Sequence, residues 1–115
     1  MRQIKGQRKA LSVWNVGDKE YHRLYNTVIV DFNHDSEGRT VTLNTGGWKT
    51  NHTKNCMNDF LKRFGFGVYQ KDFVWYVRGR EVSFSFDVDK VTFTIIDTPM
   101  GLQIGNFKEE VIRTA

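Results

Sequence analysis

Between Thr45 and Asn58 the chain gathers two glycines, a tryptophan, two lysines, three threonines and three asparagines at a strand-to-helix junction, with no carboxylate among them. Those residue types suit an anion. A helix starts with backbone N–H groups that lack intrahelical partners and with the positive end of its dipole, and phosphates settle there. Gly46 and Gly47 let backbone approach a ligand closely, while Thr50, Asn51, Thr53 and Asn55 can hydrogen-bond it. Lys49 and Lys54 can neutralise its charge, and Trp48 offers a ring to a base. The structural alternative is a tight glycine turn, threonine caps and a packed tryptophan. For Trp48 itself the packed role is the one expected.

No other constellation carries chemistry as well. Asp31, Asn33 and Asp35 are spaced like calcium ligands, but the sixth position is Ser36 instead of Gly and the twelfth is Thr42 instead of Glu. That stretch reads as a hairpin turn. His22, His34 and His52 fall in separate segments, with neither helical pairing nor nearby thiols. Ser83 and Ser85 sit in a strand pattern with no nucleophile elbow, and Gly46-Gly47 lacks the spacing of a phosphate or dinucleotide loop. Cys56 lies among helix residues and is expected to be buried and inert. No catalytic residue, metal ligand or cofactor is assigned, and the chain is not read as an enzyme.

The elements that must position the junction follow from periodicity. Met57, Phe60, Leu61 and Phe64 recur at i, i+3, i+4, i+7 and predict one helix, Lys54 to Phe64, capped by Asn51 or Thr53 and stopped at Gly65. Its first turn holds Lys54 and Asn55 and no acid, which leaves the positive helix end unmet. Upstream, Val28, Val30 and Phe32 alternate with polar residues, and Val41 and Leu43 do so after a turn, which predicts an antiparallel hairpin. Downstream, strands are expected at 68–71, 74–78, 81–86 and 91–96, with Tyr69, Trp75 and Tyr76 mostly in the core. Residues 1–20 look irregular, with Leu11, Val13, Trp14 and Val16 either lying on the core or forming a short first strand. The tail, with Leu102, Ile104 and Phe107, reads as loosely packed. The expectation is α+β: one antiparallel sheet of five to six strands, order ββαββββ, packed by one helix.

Length and composition set the outer limits. The chain has 115 residues, one cysteine and a formal net charge of +4. One cysteine excludes an internal disulfide and fits a reducing compartment. No apolar run is long enough for a membrane helix, and the basic N-terminus has no apolar segment behind it, so neither a membrane anchor nor a signal peptide is expected. Residues 1–25 hold six basic and two acidic side chains, whereas the remaining residues hold eleven of each sign. The excess is an arm, residues 1–20, ahead of a balanced domain, residues 21–115. Arg2, Lys5, Arg8 and Lys9 in the arm, with Lys62 and Arg63 at the helix end, suit contact with a phosphate backbone. So many strands must hide their edges, and a homodimer is one way to do it.

Thr45-Gly-Gly-Trp-Lys-Thr, then Thr53-Lys54 and Met57-Asn58, followed by Val68-Tyr69-Gln70 and Trp75-Tyr76-Val77, resembles a family of small tailed-bacteriophage proteins of uncharacterised function. The pattern spans Thr27 to Val77. It departs at His52, where threonine is more familiar, and around Asn55-Cys56. The resemblance implies a phage-encoded accessory protein acting in the host bacterial cytoplasm, and supplies no activity. Joined to the junction and the arm, it gives the expected function: a non-catalytic binder of nucleic acid or another phosphate-bearing ligand. Inhibition of a host bacterial protein and sequestration of a small nucleotide are the alternatives.

Overall fold

A computed structural model of the chain describes residues 10–36 and 38–110. Its first four strands form a meander: β1 (Leu11–Val16), β2 (Lys19–Leu24), β3 (Thr27–Asp35) and β4 (Gly38–Asn44). The helix α1 (Asn51–Leu61) follows, and a single 3-10 turn (Lys62–Phe64) extends it to Gly65, which adopts φ +79 as a left-handed stop. Then come β5 (Gly67–Lys71), β6 (Val74–Arg78) and β7 (Ser83–Phe86), and finally β8 (Lys90–Thr98) and β9 (Gly101–Glu110). Strands β1-β2-β3-β4-β8-β9 make one antiparallel sheet, and β5-β6-β7 make another. One core joins both sheets to α1.

The α+β class, with antiparallel sheets and one helix in a single domain, agrees with the sequence. The strand count does not: nine strands in two sheets lie within the described residues, against five to six in one. Three strands account for the difference. Leu11–Val16 is a full strand, paired with β2 through a two-residue turn where Gly17 takes φ +58. Strand β2, Lys-Glu-Tyr-His-Arg-Leu, escapes detection because one side of it is polar yet buried and the other is cationic. In β9 an extra stretch opposite Thr92–Thr94, with Asn106 at φ +52, breaks the alternation. A bulge also occurs where β2 meets β3, between His22 and Arg23, and both Ile29 and Val30 end up buried.

The helical stripe packs as expected. Met57, Phe60 and Leu61 are fully buried and Phe64 nearly so. The helix starts earlier than expected, however, with Thr50 as its cap: Thr50 Oγ1 accepts the Thr53 N–H at 3.2 Å. Asn58 ties α1 to the second sheet. Its side-chain amide donates to the Val68 carbonyl at 3.0 Å and accepts the Val68 N–H at 2.6 Å, so it stands where a neighbouring strand would. Across the sheets, Phe84 on β7 stacks on Phe107 of β9, with ring centroids 4.7 Å apart.

Candidate functional site

The junction is a wound turn in which the N–H groups of Gly46, Gly47, Trp48 and Thr50 are bonded within the turn itself. Gly46 and Gly47 adopt φ +63 and +87, conformations that other residues reach only with strain. The Gly46 N–H donates to Asn44 Oδ1 (2.9 Å), that of Gly47 to Thr45 Oγ1 (3.3 Å), and that of Trp48 to the Thr45 carbonyl (3.0 Å). The Thr50 N–H goes to the Trp48 carbonyl at 2.9 Å. Thr45, fully buried, anchors the turn by giving its N–H to the Asp89 carbonyl (2.8 Å) and its hydroxyl to Asp89 Oδ1 (2.7 Å). The carboxylate missing from the local sequence thus arrives from the β7–β8 turn. The glycine loop does not form a nest of inward N–H groups for phosphate.

The lysines leave the turn on the other side. Lys49 Nζ donates to the Asp87 carbonyl at 3.1 Å and lies 5.8 Å from the Phe86 ring; Lys54 Nζ reaches Gln70 Oε1 at 3.4 Å and lies 5.6 Å from the Trp75 ring. Both therefore face the second sheet. Asn51 and Asn55 are exposed on α1.

What the fold does gather is a cavity of about 510 Å³ between the β2–β3 turn and the junction. Leu24 and Ile29 give it an apolar base, and Thr27, Thr45, Thr50 and Thr53 contribute short polar walls. Tyr25, Trp48 and His52 supply rings, with Tyr25 and His52 edge to face at 6.5 Å. Trp48 is 68% exposed and Tyr25 62% exposed. This corrects the packed tryptophan expected from sequence: the two left-handed glycines swing the chain outward before Trp48, which therefore stands at the cavity and not inside the core. Thr50 Oγ1 and Thr53 Oγ1 lie 3.1 Å apart, and the bond between them uses one of their two hydroxyl hydrogens. Gly46 borders this wall tightly, because a Cβ there would come within 2.6 Å of Thr27 Oγ1.

Of the junction residues singled out by sequence, Trp48, Thr50 and Thr53 line the cavity, and Gly46 and Gly47 shape the turn beside it. Tyr25, Thr27 and the apolar base were missed. With β2 undetected, nothing in the sequence signalled the Tyr25-Asn26 turn, in which the tyrosine is held at φ +54.

The remaining candidate cations are dispersed. Arg2, Lys5, Arg8 and Lys9 lie outside the described residues. Lys62 sits 4.0 Å from Asp59, and Arg63 grips Glu20 with two 2.9 Å bonds while covering the Phe60 ring at 4.9 Å. Tyr69 and Tyr76 stack at 4.9 Å on the outer face of the second sheet, whereas Trp75 is buried, so the core role expected of these rings holds for Trp75 alone. Cys56 is buried. Among the described residues, no group of three His, Cys, Asp or Glu side chains could hold a metal ion.

A family model for the Kyanoviridae Gp96 protein matches residues 9–94, from the start of β1 into β8. The chain belongs to the Kyanoviridae Gp96 family. It is thus a protein of a tailed-phage family, in line with the resemblance read from the junction motif. The family match takes in all of the cavity's lining residues, Leu24 to Thr53. No curated protein and no solved structure matches the chain. No helix among the described residues is long and apolar enough to cross a membrane.

Proposed function

We propose that this phage protein is a non-catalytic binder that takes the base of a nucleotide into the cavity between Tyr25 and Trp48, acting in the host bacterial cytoplasm. The observation that carries the reading is Trp48, a large apolar ring left 68% exposed at a cavity of nucleotide-compatible size. Exposed rings beside an apolar base suit a flat heteroaromatic ligand, since each base has a π-face that stacks on aromatic side chains. Threonine hydroxyls at the rim suit the polar edges of a base, and the phosphate remains outside, toward the solvent. The non-catalytic reading rests on the lining: it contains no carboxylate and no thiol, and its titratable side chains are Tyr25 and His52.

Trp48 is also the reporter. Nucleoside monophosphates and short single strands are expected to quench its fluorescence, while Trp75, 2% exposed, keeps its emission. Trp48→Ala should weaken binding by about 1–3 kcal/mol, the range of a lost base–aromatic stack, without changing the fold. Failure of every nucleotide and oligonucleotide to bind at low salt would overturn the reading and turn attention to a protein partner.

A further inference from the structure

We infer that β1 is the interface of a symmetric dimer, in which the large sheet of one chain continues into that of a second copy through antiparallel β1–β1 pairing. Among the described residues β1 is the outermost strand of that sheet, six residues long and reading Leu-Ser-Val-Trp-Asn-Val. It holds no charge and no proline, and it pairs with β2 one for one, without a bulge. Folded chains normally blunt an open edge with one of those devices, because its free N–H and C=O groups pair with any matching strand. The other edges are blunted. At the far side of the same sheet, β9 is interrupted by its bulge and ends in Lys108, Glu109 and Glu110. In the small sheet the Asn58 side chain already occupies the Val68 N–H and C=O on β5, and β7 has only four residues.

Ladder geometry fixes which groups of β1 are open. The Tyr25 N–H donates to the Ala10 carbonyl at 3.2 Å, so Ala10 and Tyr25 form a bonded pair at the end of the β1–β2 ladder. Bonded and non-bonded pairs alternate along antiparallel strands. Ser12, Trp14 and Val16 therefore turn their backbone groups toward β2, whereas Leu11, Val13 and Asn15 turn theirs outward.

A second copy is the occupant that fits those three residues. Turned about a two-fold axis through Val13, it sets Val13 opposite its own counterpart and Leu11 opposite Asn15 in both directions. Every outward group is then paired, with two bonds to each opposed pair. An axis through Trp14 would set Leu11 against Gly17, outside the strand, and one through Ser12 would carry Asn15 beyond the start of β1. The side chains agree with the axis at Val13. Trp14 meets Ser12 of the copy, small enough to leave the indole where it stacks on Tyr21, with centroids 5.4 Å apart. No like charges meet, since β1 has none. Such an interface is isologous: it uses up the open edge of both chains, so assembly stops at two and does not grow into a filament.

The test is the mass of the full-length chain by sedimentation velocity over a range of concentrations, joined to cysteine crosslinking. The expected result is a dimer. Val13→Pro removes an outward N–H and no bond to β2, and should give a folded monomer. Val13→Cys should form an intermolecular disulfide on mild oxidation, because opposed residues of a bonded pair stand about 5.5 Å apart, within the span of a disulfide. Ser12→Cys should not, because its counterpart lies about 8 Å away across the axis. Cys56 is buried and stays out of the reaction. A monomer at every concentration overturns the second copy and leaves the edge to a strand of another protein. A dimer that a folded Val13→Pro leaves intact overturns the β1 interface, and crosslinking at Ser12→Cys as readily as at Val13→Cys overturns the axis at Val13. Should Val13→Pro fail to fold, the two cysteine variants decide alone: crosslinking confined to Val13→Cys supports the pairing, and a dimer that crosslinks at neither overturns it.

Discussion

His22 is 5% exposed, and its ring is held at one nitrogen only. Glu20 is gripped by both Arg63 nitrogens and is ionised, so His22 Nε2 must donate to Glu20 Oε2, 2.6 Å away. Nδ1 is then the unprotonated nitrogen, and it is buried with no hydrogen-bond partner among the described residues. A second proton would create a buried N–H with nowhere to donate. Burial accordingly holds the His22 pKa below its ordinary 6.5, against the opposing pull of Glu20. Burial alone would raise the Glu20 carboxyl, but the bonds from Arg63 and His22 outweigh it and keep it below 4.5. Both groups take up protons more readily in the unfolded chain, so stability is expected to fall as pH drops below about 6.5, and further below about 4.5. Urea midpoints at pH 7.5 and 5.5 check this, and His22→Gln, which keeps a donor for Glu20, should flatten the upper part of the profile. A midpoint that rises on acidification would mean His22 is charged in the fold.

At the scale of elements, the junction shows what local sequence can and cannot convey. The α1 stripe and the two-residue Asp72-Phe73 turn between β5 and β6 were legible because each depends on near neighbours: helical spacing in one, strand alternation in the other. Trp48 was not legible, because its exposure depends on backbone angles at two glycines and on Asp89, a residue 44 positions from Thr45. The direction in which Lys49 and Lys54 point was not legible either, since their partners belong to a sheet whose position the local sequence does not contain. The turn's dependence on Gly46 leads to a sharp expectation. Gly46→Ala must hold alanine at φ +63 and press its Cβ on Thr27, which should cost about 1–3 kcal/mol and deform the cavity wall. Gly47 has a similar φ but open space around it, so Gly47→Ala should cost only about 1 kcal/mol and leave ligand binding intact. Equal losses for both would show that backbone strain alone, and not the contact with Thr27, sets the value of Gly46.

At the scale of the molecule, two sheets share one core, although the smaller is inserted between β4 and β8 of the larger. Trp75, Val77 and Phe86 bring the buried side of the small sheet into that core. At the far margin the Phe84–Phe107 stack fastens β7 to the bulged part of β9, where Asn106 and Phe107 together stand opposite Phe93. Sequence reading lost this strand to its irregularity, and with it the second sheet as a separate layer. The consequence is cooperative unfolding. Trp75 emission, which reports the small sheet, and far-ultraviolet circular dichroism, which reports mainly the large one, should follow a single denaturant transition in a chain whose other tryptophans are replaced. Phe107→Ala removes a half-buried ring and its stack, for a loss of about 1–3 kcal/mol, and should shift both signals together. If the small sheet were a loosely docked insertion, the Trp75 transition would instead move ahead of the other. Joint movement would mean that the wall carrying Trp48, clamped from the β7–β8 turn through Asp89, is as stable as the fold itself, and that the cavity is preformed before any ligand arrives.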